Sequence, residues 1–490
     1  MSSPPNGQLF IRRDIWSLET PDVWDPVSQS YALAVRQMQS RPATDPTSWS
    51  YQAAMHGTYS TAPPGAPWNG CQHASWYFLS WHRMFIYWFE RIVRASIVSQ
   101  GGSADWALPY WNYSRGVPAN SLPPALRAQT MPDGSPNPLY VPDPHRATGV
   151  NAGAGLPPSA TSYAHAFSFA NFTPPPTPGF GGGASTPMQF ENATGALENQ
   201  PHNIVHDLVG GPTSGQCDGG WMSDPMCAAQ DPIFWLHHSN IDRLWNHWLA
   251  QGQGRSDPND QAWLNQAFTF YNEHGQSVTM RGADVRDTVR QLSYRYDDEA
   301  PFVVVPHPLL APTLTVPVNP GDPPSIWAQS AAAIELGPEP STVNLELTET
   351  GQTESTALRL ATTVTRRVVL RVEGIHIDEH PGVVYAILLN PPAANFDRVA
   401  DPYFVGHLTF FGAKHHPGHG GHDGHEAGGL NHAYDVTNLV AGQMERNEWQ
   451  SALQVRFEPL GLQAAAGSAE APPLPKEIAA TIDRVVLIGE

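Results

Sequence analysis

Between Pro301 and Pro324 the chain places eight prolines in 24 residues. Proline fixes φ and lacks a backbone N–H, so the stretch holds no helix and favours extended, semi-rigid chain. The sequence differs in kind on its two sides. From Gln8 to about Asp298 it is rich in Trp and Tyr, with helical runs such as SWYFLSWHRMFIYWFERIVRASIV and DPIFWLHHSNIDRLWNHWLAQ set between Pro- and Gly-rich loops. Beyond the prolines, RRVVLRVEGIHI, VVYAILLN, HLTFFGA, ALQVRFEPL and IDRVVLIGE are short, rich in β-branched residues and bounded by turn formers. With 490 residues the chain is long enough for two cores. The expected architecture is a mainly α domain at 1–300, a Pro-rich linker at 301–341, and an all-β C-terminal sandwich of about seven strands at 342–490.

Charge and cysteine content exclude several classes of function. Lys plus Arg number 26 against 45 Asp plus Glu, a net charge of −19, which disfavours nucleic acid and anionic membrane and leaves neutral or cationic small molecules. The N-terminus has no apolar run like a secretory h-region, and no stretch of about 18 apolar residues suggests a membrane span. A soluble, cytoplasmic protein is expected, with export by a partner left open. Three cysteines make no disulfide framework, although Cys217 and Cys227 can pair in an oxidising compartment, leaving Cys71 alone.

Histidine is the unusual residue, with 21 copies, many closely spaced. In CQHASWYFLSWHR, His73 and His82 lie nine steps of about 100° apart, on opposite faces if both were helical. They converge only if His73 sits at or before the helix start. Upstream, YQAAMHG adds His56 at the end of its own helix. In ENQPHNIVHD, Pro201 suits a first helical turn and puts His202 and His206 at i and i+4 on one face, a spacing that chelates a metal. The third member comes from His237 or His238, which point about 100° apart; His238 is preferred because Asp242 lies one turn on and can order that face. A single histidine on an apolar helix is more often a satisfied core residue than a ligand, but two sets of three make that reading poor. Histidine without carboxylate or thiolate suits copper, zinc or nickel.

HASWYFLSWHRMFIYWFE and DPIFWLHHSNID resemble, throughout their length, the two copper-binding signatures of the tyrosinase, catechol oxidase and hemocyanin superfamily. The resemblance implies a four-helix-bundle core with two copper ions as a type-3 pair and O2 as co-substrate. One copper falls to His56, His73 and His82, the other to His202, His206 and His238. It also implies a thioether between Cys71 and His73, as in fungal tyrosinases and molluscan hemocyanins. Glu198 and Asn203 stand where family members hold a water that deprotonates monophenols, although Glu198 can equally serve only to cap the following helix. YRY at Tyr294 to Tyr296 resembles the tyrosine motif that closes the catalytic domain against an N-terminal arginine, here Arg12 or Arg13. The C-terminal part is more distantly similar to the domain that covers the site in plant polyphenol oxidases and hemocyanins.

What the resemblance implies is a polyphenol oxidase, latent until its cover is displaced, that hydroxylates monophenols and oxidises o-diphenols to o-quinones. An oxidase of catechols or o-aminophenols alone, and an O2 carrier, are the other readings. Two departures bear on substrate: Pro225, with Met226 beside it, replaces the bulky Phe of plant enzymes at the entrance, and Asp207 follows His206. Asp207 and the acidic surface are expected to favour cationic phenols such as tyramine. One reading of the His-rich KHHPGHGGHDGHEAGG, in the loop His415 to His432, is that it captures copper and passes it inward, a role that other bacterial members give to a separate small helper protein; an incidental loop is as good a reading.

Overall fold

The computed structural model describes residues 8–18, 24–174, 178–187, 194–212, 216–217, 220–299, 324–360, 366–392, 402–413, 430–449 and 452–489. The principal helices are α1 (Pro26–Gln39), α2 (Trp49–His56), α3 (Phe78–Ser99), α4 (Ile204–Gly210) and α5 (Pro232–Ala250). Their starts are written in the sequence. Ser48 accepts from Tyr51 N to cap α2, and Asp231 accepts from Ile233 N ahead of Pro232 to cap α5. Helices α3 and α5 pack together through a broad apolar face, where the rings of Phe89 and Trp235 stack at 3.4 Å. Burying each such side chain stabilises the fold by about 1.5–3 kcal/mol.

The two ends of the helical domain are clipped together. Strand β1 (Phe10–Arg12) pairs in parallel with β4 (Tyr294–Tyr296), while β2 (Ala267–Tyr271) and β3 (Ser277–Arg281) form a hairpin between them in sequence. Of the two candidate arginines, Arg12 meets the tyrosine motif, its Cζ lying 3.6 Å from the centre of the Tyr294 ring.

The C-terminal half is a β-sheet domain, as expected, and also carries the helices Glu349–Leu360 and Thr437–Glu445. Its strands are β5 (Ser325–Ser330), β6 (Ile334–Leu336), β7 (Ser341–Leu347), β8 (Val368–Ile377), β9 (Val384–Leu389), β10 (Phe404–Leu408), β11 (Leu430–Asp435), β12 (Leu453–Leu460) and β13 (Ala480–Gly489). They form one antiparallel sheet in the order β10-β9-β12-β7-β5-β13-β8-β11, with β6 also on β13. The sheet curls until its edges meet: Tyr434 on β11 donates to the His407 carbonyl on β10 at 2.7 Å. The facing layers of the expected sandwich are thus parts of one nearly closed sheet.

The expected linker is corrected in part, because β5 and β6 occupy 325–336. β6 alternates buried and exposed side chains and β5 buries Trp327, Ala328 and Ser330, and the proline run ends before them. HLTFFGA was read as strand throughout, yet β10 stops at Leu408 and Thr409 to Ala413 leave the sheet. Residues 300–323 and 414–429, hence most of the proline run and of the His-rich stretch, lie outside the described residues.

Every side chain of β9 is buried, since one face points into the sheet's own core and Val384 joins the helical core together with Phe411 and Leu460. Gln463, just past β12, exchanges two backbone hydrogen bonds with Gly155 of the helical domain, at 2.7 and 3.2 Å. The β domain is therefore seated on the helical half. No helix among the described residues is long and apolar enough to cross a membrane.

Candidate metal centre

Two groups of histidines converge. His56, His73 and His82 form one, His202, His206, His237 and His238 the other, and within each group the candidate ligand atoms lie within 4.8 Å of one another. His56 ends α2. His82 is in the second turn of α3, whereas His73 lies ahead of that helix, as the spacing required. A turn at Ala74, with φ of 47°, follows it immediately. His202 and His206 share the helical turn that starts near Pro201, and His238 lies on α5. The His82 and His238 rings stack at 4.4 Å, so the two groups adjoin.

Four of the rings are held by their other nitrogen. Nδ1 of His56 donates to the Pro225 carbonyl at 2.9 Å, that of His82 to the Phe78 carbonyl at 2.8 Å, that of His206 to the Met222 carbonyl at 2.6 Å, and that of His202 to Asn203 Oδ1 at 2.8 Å. This fixes the tautomer that leaves Nε2 with a lone pair. Nε2 of His56, His73, His82 and His202 is buried with no hydrogen-bond partner, and Nε2 of His206 and His238 face each other at 3.3 Å. Buried nitrogens left unsatisfied together, all aimed inward, fit a bound cation and nothing else present in the chain. Burial lowers every imidazole, His56 to about 4 and His202 to about 3, so the rings are neutral and ready to ligate. Phe78 and Phe234 wall the chamber, each within 4.9 Å of two histidine rings.

His237 was set aside because adjacent helical residues diverge, yet it reaches the second group as well. Its ring lies 5.2 Å from that of His202 and 5.7 Å from Tyr113, with both nitrogens unpartnered. His238, which faces His206 and stacks on His82, sits between the groups, whereas His237 lies to one side. Asp242 anchors α5 one turn on, accepting from the hydroxyls of Tyr294 at 2.6 Å and Tyr296 at 2.5 Å and pairing with Arg12 and Arg83.

Glu198 is buried, with Oε1 accepting from Ala74 N at 2.8 Å and Oε2 without a partner. Burial raises its pKa to about 8. Cys71 is a free, buried thiol, pushed up to about 12 by burial, and its Sγ lies 3.5 Å from Nδ1 of His73.

The chamber is covered. The loop after β10 lays the Phe411 ring 4.1 Å from His206, 5.4 Å from His73 and 5.6 Å from His202. Asp207, expected at an open mouth, is instead fully buried. Its carboxylate accepts from His380 Nε2 at 2.8 Å and from Phe410 N at 2.8 Å, both in the β domain. The outward face of α4 is the surface on which that domain sits, so the charge is sequestered there. Pro225 is buried beneath the same loop, close to Gly412, with half-buried Met226 next to it. Phe411 and His380 carried no signal beyond residue type, whereas His237 stands in the signature and was weighed against His238. Cys217 and Cys227, which the sequence left open, are joined.

Residues 46–251 match the common central domain of tyrosinase, 257–304 the polyphenol oxidase middle domain, and 324–470 a domain of unknown function. A tyrosinase of Hahella sp. (strain CCB-MM4) is 31% identical over 485 residues, 93% of this chain and 96% of its own length. The chloroplastic polyphenol oxidase of Vitis vinifera is 28% identical over 79% of this chain and 64% of its own length. Among solved structures, latent aurone synthase, a polyphenol oxidase, superposes with a TM-score of 0.63 at 19% identity, over 99% of this chain and 90% of that one. Latent apple tyrosinase does so at 0.57 and 20% identity, over 100% and 99%. Both share the order of a helical domain followed by an all-β one. The cytoplasmic expectation is corrected: the plant relatives are chloroplastic by description, and the chain carries a disulfide, which a reducing cytosol does not favour.

Proposed function

The chain belongs to the tyrosinase family and is a polyphenol oxidase, and on that premise we propose that it uses O2 both to hydroxylate monophenols and to oxidise o-diphenols, and that its own β domain keeps it latent. The observation that carries latency is Phe411, a side chain of the β domain lying against histidines of both groups. A phenol ring needs that space.

His56, His73 and His82 would hold one copper, and His202, His206 and His238 the other. Copper supplies the oxidising chemistry when bound. The chain supplies the rest. Carbonyls and Asn203 present Nε2 of His56, His82, His206 and His202 inward, and the aromatic wall excludes water. Glu198 Oε2 is free to take the phenol's proton, directly or through a water. Burial, partly offset by hydrogen bonds from the backbone of Ala74 and Gly195, brings Glu198 to about 8, which suits it to exchange a proton near neutrality. We assign Cys71 a thioether to the His73 ring: the S–H bond and one ring C–H bond break, an S–C bond forms, and the two protons and two electrons released pass to O2; a peptide mass without the loss of two hydrogens from copper-loaded, aerated enzyme would refute it. A second reading, diphenol oxidation only, draws support from Asn203, whose Oδ1 is taken by His202 and so is less available to orient a water.

Copper analysis with tyramine and catechol assays, before and after cleavage within 301–323, tests these readings. Two coppers per chain and both activities rising on cleavage are expected. Catechol turnover without any on tyramine selects the second reading, and reversible O2 binding without turnover after cleavage would defeat both. Displacing the cover also strips Asp207 of His380 and Phe410 N, so the opened enzyme should prefer tyramine to 4-hydroxyphenylpropionate; equal efficiency would reject a role for that carboxylate.

A further inference from the structure

The segment Gly220–Cys227 touches both histidine groups through its main chain. Its Met222 carbonyl accepts from Nδ1 of His206 at 2.6 Å, and three residues later its Pro225 carbonyl accepts from Nδ1 of His56 at 2.9 Å. One short stretch thus imposes the ligating tautomer on one histidine of each group. Side-chain identity at 222 and 225 does not secure this; the path of the backbone does.

That path is held at several points. The disulfide ties its last residue, Cys227, to Cys217 upstream of its first, and Trp221 Nε1 donates to the Cys217 carbonyl at 2.9 Å. Ser223 Oγ donates to the Gly211 carbonyl at 2.7 Å, and the Tyr59 hydroxyl donates to Asp224 Oδ2 at 2.8 Å. Both ligand-bearing helices also come unusually close to it. A Cβ on Gly57, the residue after His56, would stand 2.4 Å from the Pro225 oxygen. One on Gly210 would stand 2.1 Å from Ser223 Oγ and 2.2 Å from its backbone N. Gly57 has an extended φ of −164°, so contact rather than conformation requires glycine there.

We infer that Gly220–Cys227, tied down by the Cys217–Cys227 bond, is a clamp shared by the two metal sets, a positioning element on whose disulfide the retention of both coppers depends. The inference rests on the dicopper reading. In metal centres, loss of the groups that orient a ligand typically weakens metal binding 10- to 100-fold; here one covalent bond orients a ligand on each side.

The test compares copper-loaded wild type with Cys217→Ala/Cys227→Ala during titration with EDTA, reading copper per chain, and measures the melting temperature of each with and without copper. The double variant should lose both coppers together at about 10- to 100-fold lower chelator, and copper should raise its melting temperature less than it raises the wild type's. A disulfide that only stabilises the fold would lower both melting temperatures equally and leave copper retention unchanged. Gly57→Ala, which keeps the disulfide, should weaken one copper and spare the other, and it decides the matter alone if the double variant does not fold. Wild type that fails to bind two coppers defeats the dicopper reading itself. Wild type that binds two, beside variants that retain both as tightly, overturns the clamp.

Discussion

His73 is the candidate ligand that no helix carries. Its neighbour Ala74 turns with positive φ and gives its N–H to Glu198, so the proposed base also braces the loop that presents a ligand. Glu198→Gln keeps an acceptor for that N–H but cannot take a proton. Turnover on tyramine should fall about 10²-fold or more while catechol oxidation stays within a few fold. Equal losses on both substrates would reduce Glu198 to bracing. The imidazoles carry a second prediction. His73, His82, His206 and His238 lie well below the ordinary value of about 6.5 and His56 at about 4, chiefly because burial disfavours the charged ring. The unfolded chain therefore binds more protons below that ordinary value. The stability of copper-free protein is fully present above pH about 6.5 and is lost as pH falls toward the lowered values. Urea midpoints of the copper-free enzyme should drop steadily from pH 7 to 5, and a flat profile would mean that the chamber is open to water.

Asp242 shows how elements are knotted around the site. Its carboxylate, on α5, collects Arg12 from β1, Arg83 from α3 and both tyrosines from β4, and those charges and hydroxyls hold its pKa below the usual range despite full burial. Asp242→Asn would leave two buried guanidiniums short of a counter-charge, a loss of about 3–5 kcal/mol. Thermal or denaturant unfolding checks this, and a change below about 1 kcal/mol would show that the other partners of these arginines, Glu90 on Arg12 and the Asn246 amide oxygen on Arg83, suffice. The sequence announced this knot in part. Asp242 was picked for its place one turn past His238, and an arginine was expected at YRY, but only the parallel pairing of β1 with β4 selects Arg12. Helical periodicity likewise separated His73 from His82, while His237 and His238 both reach the second group. Divergence by about 100° matters little where several helices surround one chamber.

At the scale of the molecule, the β domain contributes what the catalytic half lacks, a closed lid. His380 pairs with Asp207 in the seam, both of them buried. His380→Ala lies outside the chamber and leaves that carboxylate without its partner, which costs about 2–5 kcal/mol of closure. Catechol oxidase activity before any proteolysis should rise about tenfold or more, with copper content unchanged. Undiminished latency would place the latch elsewhere. The sequence by itself determined the division of the chain, the helical and β character of its halves and the histidines of the two sets. Those are matters of local periodicity, proline content and motif spacing, legible over a few turns of chain. The tertiary structure alone decided that Phe411 lies over the histidines, that Asp207 is sealed rather than exposed, that nine strands curl into one sheet, and that Met222 and Pro225 orient ligands. Each depends on segments far apart in sequence meeting through backbone groups or generic side chains, which carry no residue-specific signal until the chain has folded.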